Sequence, residues 1–361
     1  MINQFEPLLD TADLKARFSE YFDSGGYITE YKKTAEFENK IKEFLEVKHC
    51  FMVNNGTISL SLALLAMGVG PGDEVLVPDI TMIATPNAVR FIGATPVLVD
   101  VSATTLCMNL DKARDKITPK TKAIIYVTLH GRSHVDPSLI KEFCFLHNLA
   151  YISDDAQSLG SRYSNGERIG RYGDVSSFSF SMPKIITTGQ GGCLVTNDDK
   201  VADKIKKLKD FGRTGGGLDI HDEFGVNCKF TELQAIVGLS QFRDIHTRIA
   251  RKREMYLMYE CALREVSQVT MLDMDLSYVT PWFIDIYVEN REDLAKFLLD
   301  AGIKTRPIYP AIHSQKIYSF YGMDFPVATK MSSMGLWLPS SPGLTNDQLI
   351  AVCSKIKEFY A

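Results

Sequence analysis

Residues 175–197 read VSSFSFSMPKIITTGQGGCLVTN: two strand-like runs separated by a lysine and a glycine cluster. VSSFSF and CLVTN carry the β-branched and alternating pattern of strands, and TTGQGG between them marks a tight turn held against something. Lys184 is the one charged residue in the stretch. A lysine in such a place loses water from its ammonium, its pKa falls, and the neutral amine can form a Schiff base with a carbonyl. The alternative is an ordinary exposed lysine, the common state of this side chain.

Outward from this segment, short apolar runs alternate with helical patterns. CFMV (50–53), VLVP (75–78), PVLVDV (96–101), AIIYVT (123–128) and YIS (151–153) read as buried strands, and ISLSLALLAMG (58–68) and PSLIKEFCFLHN (137–148) as helices between them. That alternation predicts an α/β fold with a mostly parallel sheet covered on both faces. TELQ (231–234) has the form of a capping box opening a long helix. From about residue 250 the pattern changes: WFIDIYV (282–288), EDLAKFLLDAG (292–302) and DQLIAVCSKIKEFY (347–360) predict a smaller α+β domain. The expected division is 1–250 and 251–361.

The 361 residues suffice for a large core, and 45% hydrophobic with 23% charged residues is ordinary for a soluble protein. A net charge of -4 argues against nucleic-acid binding; the basic run RIARKRE (248–254) reads as a solvated helix face. MINQFEPLLDTADLK lacks a signal pattern, no apolar run reaches the length of a membrane span, and the seven scattered cysteines lack a CxxC pair. The expected setting is the cytoplasm, with reduced thiols.

Ligands on such sheets sit beyond the carboxyl ends of the strands. NNGTIS (54–59) follows a strand and opens a helix, which suits a phosphate, although taken alone a plain N-cap by Thr57 is the more ordinary explanation. SDDAQS (153–158) places an acidic pair after a strand, to serve a proton, a metal or a cap. HGRSH (130–134) spaces two histidines as a zinc face does, but a glycine follows the first and no HExxH glutamate is present, so no metal site is expected. RTGGG (213–217) satisfies neither the P-loop nor the dinucleotide pattern and reads as a loop. Lys184, Gly56–Thr57 with Ser179, and Asp154 together meet the needs of pyridoxal 5'-phosphate (PLP): an amine for its aldehyde, a cradle for its phosphate, and a carboxylate for its ring nitrogen.

With these residues in view the chain resembles the DegT/DnrJ/EryC1/StrS family of sugar aminotransferases. The resemblance rests on NNGTISLSLAL (54–64), GPGDEVLVPDITMIATPNAV (70–89), GATPVLVDV (93–101), KITPKTKAIIYV (116–127), FSFSMPKIITTGQGGCLVTND (178–198), FGVNCKFTELQAIVGLSQ (224–241), RPIYPAIH (306–313) and LWLPSSPGLT (336–345), in the family's order over nearly the whole chain.

It implies an aspartate aminotransferase-like fold (fold type I of the PLP enzymes), PLP as cofactor, Lys184 as the Schiff-base lysine and Asp154 as the partner of the ring nitrogen. It further implies Gln157 beside the ring, Gly56, Thr57 and Ser179 at the phosphate, and Asn227 reaching the phosphate of a neighbouring subunit, hence a homodimer with shared sites. Substrate candidates are His313, Tyr309, Arg306 and Arg213. Met82 stands where an aromatic residue often covers the ring, and methionine can pack there through its sulfur. Asp155 replaces a small residue, which leaves open which aspartate meets the ring, and Gln190 stands where glutamate is frequent. The implied reaction moves an amino group from L-glutamate to a keto sugar, in first place a nucleotide-linked 4-keto-6-deoxy hexose as in perosamine synthases, for surface polysaccharide such as the O-antigen of lipopolysaccharide. A 3-keto nucleotide sugar and a nucleotide-free keto sugar acid, met by Arg132, His134 and Arg213, are the alternatives, with a PLP-binding regulator as the non-enzyme reading.

Overall fold

The computed structural model describes residues 1–133, 136–214, 219–322 and 324–361. His134 of HGRSH and residues 215–217 of RTGGG lie outside them. Seven strands form the main sheet: β1 (His49–Val53), β2 (Glu74–Pro78), β3 (Thr95–Val99), β4 (Thr121–Val127), β5 (Ala150–Asp154), β6 (Val175–Ser179) and β7 (Gly192–Thr196), in the order β1-β7-β6-β5-β4-β2-β3. Pairs from β6 through β3 are parallel, while β7 runs antiparallel to both β6 and β1. The expected mostly parallel, two-faced sheet is thus observed. The antiparallel strand follows from the shortness of the β6–β7 connection, which carries Lys184 and has no room for a helical crossover.

The strands read as apolar runs because both faces are covered. Val75, Val77, Ala123, Ile125 and Ile152 enter one cluster with α3 (Gly56–Ala66), α4 (Ala84–Phe91) and α7 (Asp199–Lys209), whereas Leu76, Ile124, Tyr126 and Tyr151 enter another with α5 (Leu110–Arg114) and α6 (Pro137–Leu146). At the antiparallel end, Cys50, Met52, Cys193 and Val195 pack on α2 (Lys32–Leu45) and α8 (Glu232–Arg243), against which α1 (Thr11–Asp23) also lies. The helix expected at TELQ is α8. Thr231 caps it by accepting the Gln234 N–H, but the Gln234 side chain meets the Thr231 hydroxyl instead of its backbone. A complete capping box stands at Thr345 and Gln348, opening α12 (Asn346–Tyr360).

A second sheet of three antiparallel strands, β8 (Ile284–Tyr287), β9 (Arg306–Pro307) and β10 (Gly335–Leu338), is ordered β8-β10-β9. It shares a core with α9 (Ile245–Leu263), α10 (Arg291–Asp300) and α12, while α11 (Pro326–Met334) leads into β10. Within α9, Ile245 and Ile249 pack on the main sheet's side and Met255 to Leu263 on the small sheet's. The first residues return to the small sheet's side, where the Ile2 N–H donates to Gly302 O at 2.8 Å. All seven cysteines are free, and among the described residues no helix is long and apolar enough to cross a membrane.

Candidate active site

The carboxyl ends of β1, β4, β5 and β6 point to one side, and a cavity of about 310 Å³ opens there. Gly56, Thr57, Met82, Asp154, Gln157, Ser179, Lys184, Gln190, Arg306 and Tyr309 all line it. A larger cavity of about 570 Å³, beside Tyr21, Tyr27 and Lys33, holds none of the expected residues. Volume therefore does not mark the chemistry; the convergence of an amine, carboxylate, hydroxyls and a helix end does.

Strand β1 delivers the chain to α3, whose N-cap is Asn55 and not Thr57: the Asn55 side chain accepts the Ile58 N–H at 2.9 Å. Among the described residues the backbone N–H groups of Gly56 and Thr57 have no acceptor in the chain, and the Thr57 hydroxyl is spared for the cavity. Gly56 is required by packing, since a Cβ there would come within 2.9 Å of Ser179 Cβ. In the same way a Cβ at Gly192 would lie 2.7 Å from Phe178 O and 2.9 Å from Gly56 N, so the glycine cluster after Lys184 lets β7 close against the start of α3. Ser179 donates its hydroxyl to Ser181 at 3.3 Å, and the two complete a cradle of hydroxyls and unpaired N–H groups at a helix N-terminus, the surroundings that a phosphate needs.

The two adjacent aspartates part company at the end of β5. Asp154 lines the cavity. Its Oδ2 accepts from Thr85 Oγ1 at 2.8 Å, and Thr85 in turn accepts from Thr81 at 3.0 Å. Asp155 is fully buried on the other side, accepting from Ser153 at 2.8 Å and Thr128 at 2.9 Å. Burial raises the pKa of both, that of Asp155 to about 7, with the Thr85 hydrogen bond opposing the shift at Asp154. Gln157 is oriented by the His130 N–H, which donates to its Oε1 at 2.8 Å; its amide nitrogen is left facing Tyr309 Oη at 3.4 Å and the cavity.

Lys184 sits in a turn, its N–H donating to Ser181 O at 3.1 Å. Its side chain lines the cavity and makes no ion pair among the described residues. Loss of water lowers its pKa to about 8, with the charge of Asp154 opposing the fall. The Nζ lies 4.4 Å from the centre of the Trp282 ring. Met82, on the rim, is 45% exposed and keeps its apolar face open to the cavity.

Four expected site residues do not line the cavity. His313 is buried behind it: Asp79 accepts both its backbone N–H, at 2.9 Å, and its ring Nδ1–H, at 2.6 Å, and thereby ties it to the loop carrying Thr81 and Met82. Asn227 is exposed and Arg213 half-buried on the segment after α7, where Arg213 pairs with Asp210 and Asp219. Arg132 is buried in a two-point ion pair with Asp285 at 2.9 and 3.1 Å, so it is not free to meet a carboxylated or diphosphate substrate. Asn55, Thr81, Thr85, Ser181 and Trp282 were not anticipated. Asn55 could have been, because an asparagine one residue before a glycine-started helix is a strong cap. Trp282 carries no local signal; it reaches the site from the edge of the small sheet.

Residues 9–357 match the DegT/DnrJ/EryC1/StrS aminotransferase family. The chain is 38% identical over 360 residues to a GDP-perosamine synthase of Escherichia coli O157:H7, covering 99% of this chain and 98% of that protein. It is 32% identical over 366 residues to a dTDP-3-amino-3,6-dideoxy-alpha-D-galactopyranose transaminase of Aneurinibacillus thermoaerophilus, covering 98% and 99% respectively. A Streptococcus pneumoniae protein solved in a PLP form superimposes with a TM-score of 0.89 at 26% identity, over 98% of this chain and 97% of that one. A fold, a strand-end cavity and a motif order shared along the whole length have one consistent origin: the chain belongs to the DegT/DnrJ/EryC1/StrS aminotransferase family.

Proposed function

We propose that this protein is a PLP-dependent aminotransferase that moves an amino group, from L-glutamate as donor, to a nucleotide-linked 4-keto-6-deoxy hexose. The observation that carries the reading is the convergence of the Lys184 amine, the Asp154 carboxylate and the donors of Gly56, Thr57 and Ser179 on one cavity. These residues fit the cofactor, which when bound supplies an aldehyde for amines and a protonated ring that takes up the electron pair left as a Cα–H bond breaks. The free N–H groups at the start of α3, with the Thr57 and Ser179 hydroxyls, hold the phosphate. Asp154, kept in place by Thr85, would meet the ring nitrogen and hold a proton there. The amide nitrogen of Gln157 would donate to the ring's phenolic oxygen, and Met82 would pack over the ring. Lys184 would bind the aldehyde carbon, and when free its amine is placed to take the proton from the donor's Cα and to give it back across the intervening nitrogen. A pKa near 8 suits both directions of that transfer at neutral pH.

The 4-keto preference is supported by the perosamine synthase likeness, and 3-amination by the Aneurinibacillus likeness; the higher identity favours the former. Arg306 and Tyr309, at the open side of the cavity, are the candidates for contacting donor carboxylate and sugar. Asn227, exposed and away from its own chain's cavity, fits a role across a homodimer. We place the division between the two parts of the chain within α9, near residue 250. The test is a half-reaction: protein loaded with PLP is mixed with L-glutamate, and the pyridoxamine form is then challenged with a panel of 4-keto and 3-keto nucleotide sugars. Absence of any donor half-reaction sinks the aminotransferase reading; turnover of 3-keto sugars alone sinks the 4-keto assignment.

A further inference from the structure

Trp282 lies just before β8, yet its ring enters the main-sheet cavity beneath Lys184. It is 5% exposed and held from every side. Its Nε1–H donates to Pro183 O at 2.8 Å, the carbonyl immediately before Lys184, and its backbone N–H donates to His130 O at 3.3 Å. Phe283 stacks on the ring at 3.9 Å and Trp337 meets it edge-on at 5.5 Å. Trp337 is itself anchored, donating from Nε1 to His130 Nε2 at 3.2 Å. An indole N–H can only donate, so His130 Nε2 accepts from Trp337, while Nδ1 lies 3.3 Å from Asp285 Oδ2 and 3.1 Å from an Arg132 guanidinium nitrogen. Asp285 also takes both arms of Arg132 and the Tyr287 hydroxyl. The array is closed, charge-balanced and buried, which fixes the Trp282 plane relative to the Lys184 backbone.

We infer that Trp282 is a positioning residue for Lys184, its indole face holding the ammonium whenever the lysine is detached from the cofactor. The inference rests on the aminotransferase reading, in which Lys184 must leave and rejoin the cofactor's aldehyde carbon in each half-reaction. A detached ammonium in this cavity has no ion-pair partner among the described residues. The charged and titratable groups facing it are Asp154 at the end of β5, His130 after β4, and Tyr309 and Arg306 from the β9 segment. Asp154 is engaged by Thr85 and by the Ala156 N–H. Burial holds His130 neutral, and donors face both of its ring nitrogens. A π face stabilises a cation without accepting its proton, so the amine is kept in place and still able to give or take one. A carboxylate in that position would hold the lysine charged, and an aliphatic side chain would leave it unsupported.

The test uses cofactor-free protein, with acetic anhydride in competition labelling and mass spectrometry of the Lys184 peptide, across a pH series. Wild type, Trp282→Phe and Trp282→Leu are compared. Loss of the π face destabilises the ammonium, so the apparent Lys184 pKa should fall by roughly half a unit to one and a half units in Trp282→Leu and by less in Trp282→Phe. A purely structural role predicts the opposite sign, because a loosened wall admits water and raises the pKa toward the ordinary lysine value. An unchanged or raised pKa in a folded Trp282→Leu protein overturns the inference. If that variant does not fold, the smaller fall in Trp282→Phe decides in the same way. In loaded enzyme the acid limb of the kcat pH profile should move to lower pH with Trp282→Leu while the donor KM changes little. Wild-type protein that shows the labelling behaviour but binds no PLP overturns the aminotransferase reading and leaves the lysine–indole contact standing.

Discussion

Asp154 and Asp155 are chemically identical neighbours, and the alternation of side chains along an extended strand sends them to opposite sides of the sheet. Only Asp154 opens onto the cavity, so Asp154→Asn should lower kcat by two or more orders of magnitude, with Asp155→Asn costing far less activity. Steady-state kinetics of the two variants, side by side, checks the register of SDDAQS directly. Lys184 invites a complementary experiment. Borohydride reduction of loaded protein should leave the cofactor's mass on the Lys184 peptide, and Lys184→Ala should lose roughly 10³-fold or more in turnover. Turnover near wild type in that variant would remove Lys184 from the chemistry. The sequence pointed to this lysine because its neighbours are apolar or glycine; what shields its amine became visible only when Trp282 arrived from the other end of the chain.

Among the elements, α3 and the β6–β7 connection make a pair that packs through absent side chains. Gly56→Ala would drive a Cβ against Ser179 and narrow the anion cradle, so PLP affinity should drop at least tenfold, and the cofactor-free protein should also melt at a lower temperature. Equilibrium titration of PLP into that variant measures it. A second link between elements is Arg132 to Asp285, joining the segment after β4 to β8. Arg132→Met leaves the Asp285 carboxylate buried and uncompensated, a loss of about 3–5 kcal/mol, whereas Arg132→Met with Asp285→Leu should recover much of it. Denaturant unfolding of single and double variants gives the comparison. The strands were legible because burial on both faces leaves an unbroken apolar run. Only the structure removes Thr57 as a plain cap of α3, because Asn55 and Thr57 are both good caps and sequence spacing does not say which residue has extended backbone.

For the whole molecule, shared sites predict complementation. Lys184→Ala and Asn227→Ala chains, each impaired alone, should regain activity above either parent after subunits are mixed and reassorted, since one site of each heterodimer keeps both residues. Activity no better than the average of the parents would confine Asn227 to its own chain. Stability has its own signature where α9 meets the small sheet. Lys252 is buried with Nζ donating to Ser340 O at 2.7 Å, and burial lowers its pKa to about 7. The unfolded chain holds that proton up to about pH 10.4, so between these limits the unfolded state binds more protons and stability rises with pH. Lys252→Met removes this slope. Its melting temperature relative to wild type should therefore be more favourable at pH 6 than at pH 9, and a difference independent of pH would show that Lys252 titrates normally.

Local chemistry along the chain was enough to determine the mostly parallel α/β sheet, the strand-end position of the cavity, the lysine that lines it and the family. Each of these depends on neighbours in sequence: a run of apolar residues, a glycine where a Cβ would collide, a motif repeated in order. Tertiary structure alone decided which aspartate faces the cavity, that Asn55 and not Thr57 caps α3, that His313 supports a loop from behind, and that Arg132 is spent on Asp285. It also brought Trp282 to Lys184 across nearly a hundred residues. Those outcomes are set by which faces of distant elements meet in the packed core, a contact that leaves no periodic trace in either segment.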